Sequence, residues 1–273
     1  VLEAGQAKSR EIIVKRRAFL ETVLALAANG VALPQVRARE NLRIAYFEDF
    51  PPFSWRNRRR EMEGVFVDVL NEVLERRMNI PLLHEGFPWA RAQQMVRDGL
   101  SDAFCTVPTE ERRAYTLPAG EPVVTATFTM FAPRAGSAVE RLKAVSSLAD
   151  LKPFLIGHYL GSGWAHQKLQ GMRVDWAPDL DLALQKLAHG RDEVMVDVAE
   201  VLRSRIKQLG LSEALTELPQ VLDTQPFSLC IRKGSPFEGV LPQFDQIMRQ
   251  ARDDGIVRDV YRKFDILPAA KPT

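Results

Sequence analysis

The stretch Asp102–Pro122, DAFCTVPTEERRAYTLPAGEP, joins an apolar strand end to a Thr-x-x-Arg step at Thr109 and Arg112. An arginine carries a rigid, permanently charged fork that fits a carboxylate with two parallel hydrogen bonds. Placed just past the C-terminal end of a strand, it lies where open α/β sheets bind ligands. A second feature is the turn Gly161-Ser162-Gly163, which opens a predicted helix. Unpaired N–H groups at such a turn favour an anion. The chemistry on offer is recognition of a small carboxylate. The four histidines, His84, His158, His166 and His189, show no metal-ligand spacing, and no metal or cofactor is expected.

The frame around these residues is that of an ordinary globular protein. Of 273 residues, 46% are hydrophobic and 26% charged, enough for one large or two medium domains. The formal charge of +2 is unevenly spread. Residues 1–38 carry six basic and three acidic side chains; the remainder carries 31 basic and 32 acidic. The basic character therefore belongs to the N-terminus, and a nucleic-acid partner loses its main support. Residues 15–38, KRRAFLETVLALAANGVALPQVRA, have the basic start and apolar run of an export signal. The Arg-Arg-x-Phe-Leu run is similar to the twin-arginine type. Residues 1–38 are read as signal peptide and N-terminal extension, with a periplasmic destination. Cys105 and Cys230 are the only cysteines, too few for a disulfide scaffold.

Strand and helix patterns alternate through the rest. Strands are predicted at 42–47, 80–84 and 102–106, with helices after Gly64 and over Trp89–Arg97. The pattern restarts with strands at 125–132, 154–158, 174–176, 194–198 and 227–232. Helices are predicted at 147–151, from Gly161 and over 180–187. Apolar residues Val240, Leu241, Phe244, Ile247, Met248 and Ala251 mark a C-terminal helix, resumed after Gly255. Such alternation predicts parallel sheets covered by helices. Arg56, Arg58, Arg59 and Arg60 beside Asn57 read as a solvated hairpin.

The segments LRIAYFEDFPPFSW, EGVFVDVLNEVL, PTEERRAYTLPAGEP, IGHYLGSG, LQKLAHGRDEVMVD and IMRQARDDGIVRDVYRKF occur in this order over residues 42–265. In order and spacing they resemble the family 3 periplasmic solute-binding proteins, the amino-acid receptors of ABC importers. The resemblance implies a two-lobed type II periplasmic-binding-protein fold of the α/β class. Each lobe would be a mostly parallel sheet with helices on both faces, and the ligand cleft would lie between them. Lobe 1 would comprise 41–123 and 227–268, and lobe 2 would comprise 124–226. Arg112 matches the family arginine that pairs with the ligand's α-carboxylate, with Thr109 beside it. Gly161 and Ser162 match the turn that meets the same carboxylate, and Asp197 matches the acid that receives the α-ammonium group. Phe50 matches an aromatic that covers the ligand, and Trp55 and Trp164, with Phe53 and Trp89, are further candidates for the cleft wall. The step from Asp102 to Thr109 is shorter than in the family pattern, and Pro108 offers no N–H.

The expected function is a monomeric, non-catalytic receptor for an amino acid or related carboxylate, serving an ABC permease in the membrane. Two alternatives accompany it. Cyclohexadienyl dehydratases resemble the same family, and Glu48, Asp49 or Asp197 would be the general acid of such an enzyme. A stand-alone sensory binding protein would use the same site. On the family topology Cys105 and Cys230 lie close together on neighbouring strands, either as free buried thiols or as a disulfide.

Overall fold

The computed structural model describes residues 41–264 and Ile266. The export-signal reading of residues 1–38 lies outside the described residues. Strand β1 (Leu42–Phe47) leads into a small antiparallel unit of β2 (Asp49–Phe50), β3 (Ser54–Arg56) and β4 (Met62–Glu63). Its tip holds Arg58, Arg59 and Arg60 in solvent, as the hairpin reading expected. Helix α1 (Val65–Leu70) passes into a π-helical stretch, Asn71–Arg77, then β5 (Leu82–Phe87), α2 (Trp89–Arg97) and β6 (Ala103–Thr106). Helix α2 buries Ala92, Met95 and Val96, the i, i+3, i+4 stripe of an amphipathic helix. It stops just before Gly99, whose φ of 75° lies in the left-handed region.

Next come α3 (Glu110–Tyr115), β7 (Thr116–Pro118), β8 (Val124–Pro133) and α4 (Val139–Leu142). Strand β9 (Ile156–Tyr159), α5 (Gly163–Lys168), β10 (Val174–Ala177), α6 (Leu180–Ala188), β11 (Met195–Val198) and α7 (Ala199–Gln208) follow. Strand β12 (Leu215–Arg232), α8 (Leu241–Asp253) and α9 (Ile256–Lys263) close the described chain. Asp179 caps α6 by accepting the Leu182 N–H at 2.8 Å. Helix α8 buries Leu241, Phe244, Met248 and Ala251, and Gly255 at φ 79° separates it from α9.

The main sheet runs β11-β8-β12-β6-β1-β5, with β7 beside β12. Parallel pairing, as expected, joins β1 to β5 and β6, and β9 to β10. Strands β8 and β12 instead pair antiparallel with each neighbour. The sheet is thus mixed, because two long strands run back through it. Sequence reading found only residues 227–232 of the 18-residue β12. Its first half carries Pro219 and Asp223, residues that argue against a strand interior. Register shifts between Leu218 and Asp223 absorb them.

Phe53, Phe66 and Phe227 pack ring against ring with centroids 5.2–5.8 Å apart and tie the β2–β3 turn and α1 to β12. Gly64 makes this possible. Its φ of 129° and ψ of 178° suit glycine alone. A Cβ there would stand 2.4 Å from the Phe53 carbonyl oxygen. His84 takes part in a second buried arrangement. Its Nδ1 lies 2.9 Å from the Tyr46 hydroxyl and its Nε2 lies 2.7 Å from Asn71 Oδ1. An amide oxygen only accepts, so Nε2 carries the proton and the Tyr46 hydroxyl donates to Nδ1. Burial lowers the His84 pKa to about 4.

Two outcomes follow. Gly64→Ala should cost about 2 kcal/mol or more in urea unfolding. For His84 the native pKa lies below the unfolded value of about 6.5. The unfolded chain therefore binds more protons between these values, and stability falls as pH drops through this window. The loss should approach about 3 kcal/mol by pH 4. In urea melts at several pH values, His84→Asn should be the shallower series.

Candidate ligand site

Arg112 owes its position to Thr109. The Thr109 hydroxyl caps α3, accepting the Arg112 N–H at 3.4 Å. Only 4% of Arg112 is exposed. Its Nε donates to Gln93 Oε1 at 3.1 Å and its Nη1 to the Val107 carbonyl at 2.9 Å. The guanidinium lies 5.0 Å from the Trp89 ring centroid. Nη2 faces Gly163, where an added Cβ would stand 3.1 Å away. Among the described residues no carboxylate lies within ion-pair distance of Arg112. Burial pulls its pKa down, yet an arginine stays charged. A buried cation without a protein counter-ion is costly unless something else supplies the anion.

Asp197 presents the complementary deficit. It stands near the end of β11, 4% exposed. Its Oδ1 accepts the Val198 N–H at 2.7 Å, while Oδ2 has no hydrogen-bond partner. Burial raises its pKa. His158 Nε2 lies 3.7 Å from Oδ2. That imidazole is itself fully buried; its Nδ1 accepts the Tyr159 N–H at 3.0 Å and its Nε2 donates to the Val196 carbonyl at 3.1 Å. A backbone N–H can only donate, so the ring is the neutral Nε2–H tautomer. His158 therefore supplies no charge to Asp197.

Both groups line one cavity, with Phe50, Gly161, Ser162, Gly163 and Trp164. Gly161 has φ 92°, and Ser162 caps α5 by accepting the Ala165 N–H at 3.3 Å. Trp164 stacks on Phe128 with centroids 4.3 Å apart, and its Nε1 donates to Asp223 Oδ2 at 2.7 Å. Phe50 stacks on Phe47 at 5.6 Å.

Two predicted residues stand elsewhere. Thr109 is outside the lining and acts as the cap that sets Arg112. Trp55 packs edge-on against Phe264 at 5.6 Å, because the β2–β4 unit turns it away from the cavity. Phe53, also named as a wall candidate, is wholly buried in the core stack. Trp89 does line the cavity. Glu48 is paired with Arg56 at 2.9 Å, and Asp49 with Arg205 at 2.9 Å. Neither borders the cavity, so of the three proposed general acids only Asp197 does. Sequence reading missed Tyr159, Thr106, Phe128 and Phe227 in the lining. Tyr159 precedes the glycine turn by two residues, which was the available signal. Burial first, and then the charge of Asp197, push its hydroxyl pKa well up.

Cys105 also borders the cavity. Cys230 is opposite Phe104 and Cys105 opposite Leu229. Successive strand residues point to opposite faces, so the two buried thiols are on opposite sides of the sheet. Both are free.

A mixed α/β core and long crossing strands around a charged, aromatic-lined cavity define a two-lobed periplasmic-binding-protein fold. The chain belongs to the bacterial extracellular solute-binding proteins, family 3, whose profile matches residues 42–265. No curated protein matches the chain in sequence. Among solved structures, a histidine kinase sensor domain with similarity to periplasmic binding proteins superposes with TM-score 0.70 at 17% identity. The match covers 83% of this chain and 96% of that one. A putative ABC-transporter binding component from Wolinella succinogenes DSM 1740, complexed with lysine, gives 0.68 at 18%, with 83% and 96% coverage. An ancestral arginine-binding protein bound to glutamine gives 0.65 at 20%, with 83% and 98% coverage. At these identities the likeness carries the fold. Among the described residues, no helix is long and apolar enough to cross a membrane, and no cluster of His, Cys, Asp or Glu could hold a metal.

The thiol geometry has a direct check. Under denaturing, non-reducing conditions, a thiol reagent should titrate both cysteines of the oxidised protein. A count of none would mean that they pair.

Proposed function

We propose that the protein is an exported receptor that captures a small zwitterion, an amino acid or close relative, and presents it to an ABC permease. The observation that carries this reading is the pair of unmatched buried charges. Arg112 needs an anion and Asp197 has a free acceptor oxygen, and both border one cavity. A ligand with a carboxylate and an ammonium group satisfies both at once. The wall adds desolvation, which strengthens each pairing.

In this reading lobe 1 comprises 41–123 and 227–268, and lobe 2 comprises 124–226. Val124 pairs with Phe227 in the β8–β12 ladder, which supports a crossing at these two points. Arg112 then belongs to lobe 1, while Asp197 and the 161–163 turn belong to lobe 2. Ligand bridging them stabilises the closed arrangement that a permease recognises. The basic, apolar N-terminal stretch supports export, in the twin-arginine pattern. The arginine- and lysine-binding proteins among the structural neighbours support an amino-acid ligand.

Calorimetry on Arg112→Ala tests the reading. Affinity for the amino acid that the native protein binds should fall by about 100-fold or more, as for a truncated buried charge pair. The circular dichroism spectrum should stay native. Unchanged affinity would remove Arg112 from the site and the zwitterion reading with it.

A further inference from the structure

The cavity holds little charge beyond one matched set. Of its lining residues, Arg112 is the only cation and Asp197 the only anion. If the proposed zwitterion reading holds, both are used by the ligand's backbone. Nothing charged is then left for a ligand side chain. The acids and bases just outside are also engaged. Glu48 binds Arg56, and Asp49 binds Arg205 at 2.9 Å. Asp223 accepts from Trp164 Nε1 and from Gln225 and lies 3.3 Å from Lys168. Two of the three donor nitrogens of the Arg112 guanidinium, Nε and Nη1, face Gln93 and Val107. A lysine, arginine or glutamate side chain in this cavity would be a buried charge without a partner, at a cost of several kcal/mol.

What the cavity does offer is flat apolar surface. Phe47 and Phe50 stack within 26° of parallel, from β1 and β2. Phe128 and Trp164 stack within 24° of parallel, from β8 and α5. Both pairs border the cavity, together with Phe227. The Trp164 ring cannot rotate freely, because its Nε1 is held by Asp223. Each pair is therefore a fixed plate, ready to meet a ring at little cost in side-chain entropy.

We propose that the ligand is an amino acid with an uncharged, ring-bearing side chain, of the phenylalanine, tyrosine or tryptophan type. The inference rests on the receptor reading above and narrows it. It sets this chain apart from the lysine-complexed neighbour, whose ligand carries a second positive charge.

Calorimetry of the full chain, freed of co-purified ligand, should be run against phenylalanine, tyrosine, tryptophan, leucine, glutamate, arginine and lysine. At least one aromatic amino acid should bind at least about tenfold more tightly than arginine, lysine and glutamate. Equal or tighter binding of any of the charged ones overturns the inference and leaves the receptor reading intact. Failure of every amino acid to bind overturns both. Phe50→Leu keeps an apolar wall and removes one ring. It should weaken the aromatic ligand by about fivefold to tenfold, and leucine by less than about twofold, with the thermal midpoint near that of the native protein. An equal fall for both ligands would show that the ring is not read, and would overturn the proposed stacking.

Discussion

The structure turns on a guanidinium that has been taken out of water without a protein anion beside it. Arg112 is held by a cap, by two neutral acceptors and by an indole face, and none of these cancels its charge. Other arginines among the described residues behave differently. Arg205, for example, is bracketed by Asp49 and Asp181 at 2.5–3.0 Å. An isolated buried charge is an expense that folding alone does not recover. Other parts of the cavity serve this arrangement. Gln93 and Val107 fix the fork, Trp89 backs it, and the small side of Gly163 leaves Nη2 uncovered.

Asp197 is the counterpart, and its surroundings are tuned the same way. A neutral imidazole stands behind it, held neutral by two backbone groups. Had His158 offered a proton on each nitrogen, the carboxylate would have had an internal partner. Its oxygen instead stays available toward the cavity. Two side chains of opposite sign, each without a charged protein partner, are a poor device for stability. They are a good device for selecting a molecule that carries both signs.

The sequence disclosed much of this and hid particular parts. The Thr-x-x-Arg step, the glycine turn and Asp197 were visible because residue type and order carry the chemistry. Helices such as Trp89–Arg97 and Leu241–Asp253 were visible because one face repeats with helical period. The first half of β12 was not, since Pro219 and Asp223 there are accommodated by shifts of register against β8. Trp55 and Phe53 looked like wall residues because aromatics near the aligned Phe50 share its composition. The β2–β4 turn and the phenylalanine stack send them elsewhere. Tyr159, Phe128 and Phe227 come from three strands far apart in sequence, so only assembly brings them to one cavity.

The two long strands deserve a mechanical reading. β8 and β12 are paired from Val124–Phe227 to Pro133–Leu215, with register shifts between Leu218 and Asp223. Such a ribbon bends across its face with its ladder intact, whereas sliding one strand along the other would break every rung. Independent linkers would let two bodies swivel in any direction. A laddered pair confines them to one arc. In the two-lobed reading proposed above, Arg112 and Gly163 would then meet again in the same register after each opening, and the backbone would rebuild the cavity with no search by its side chains.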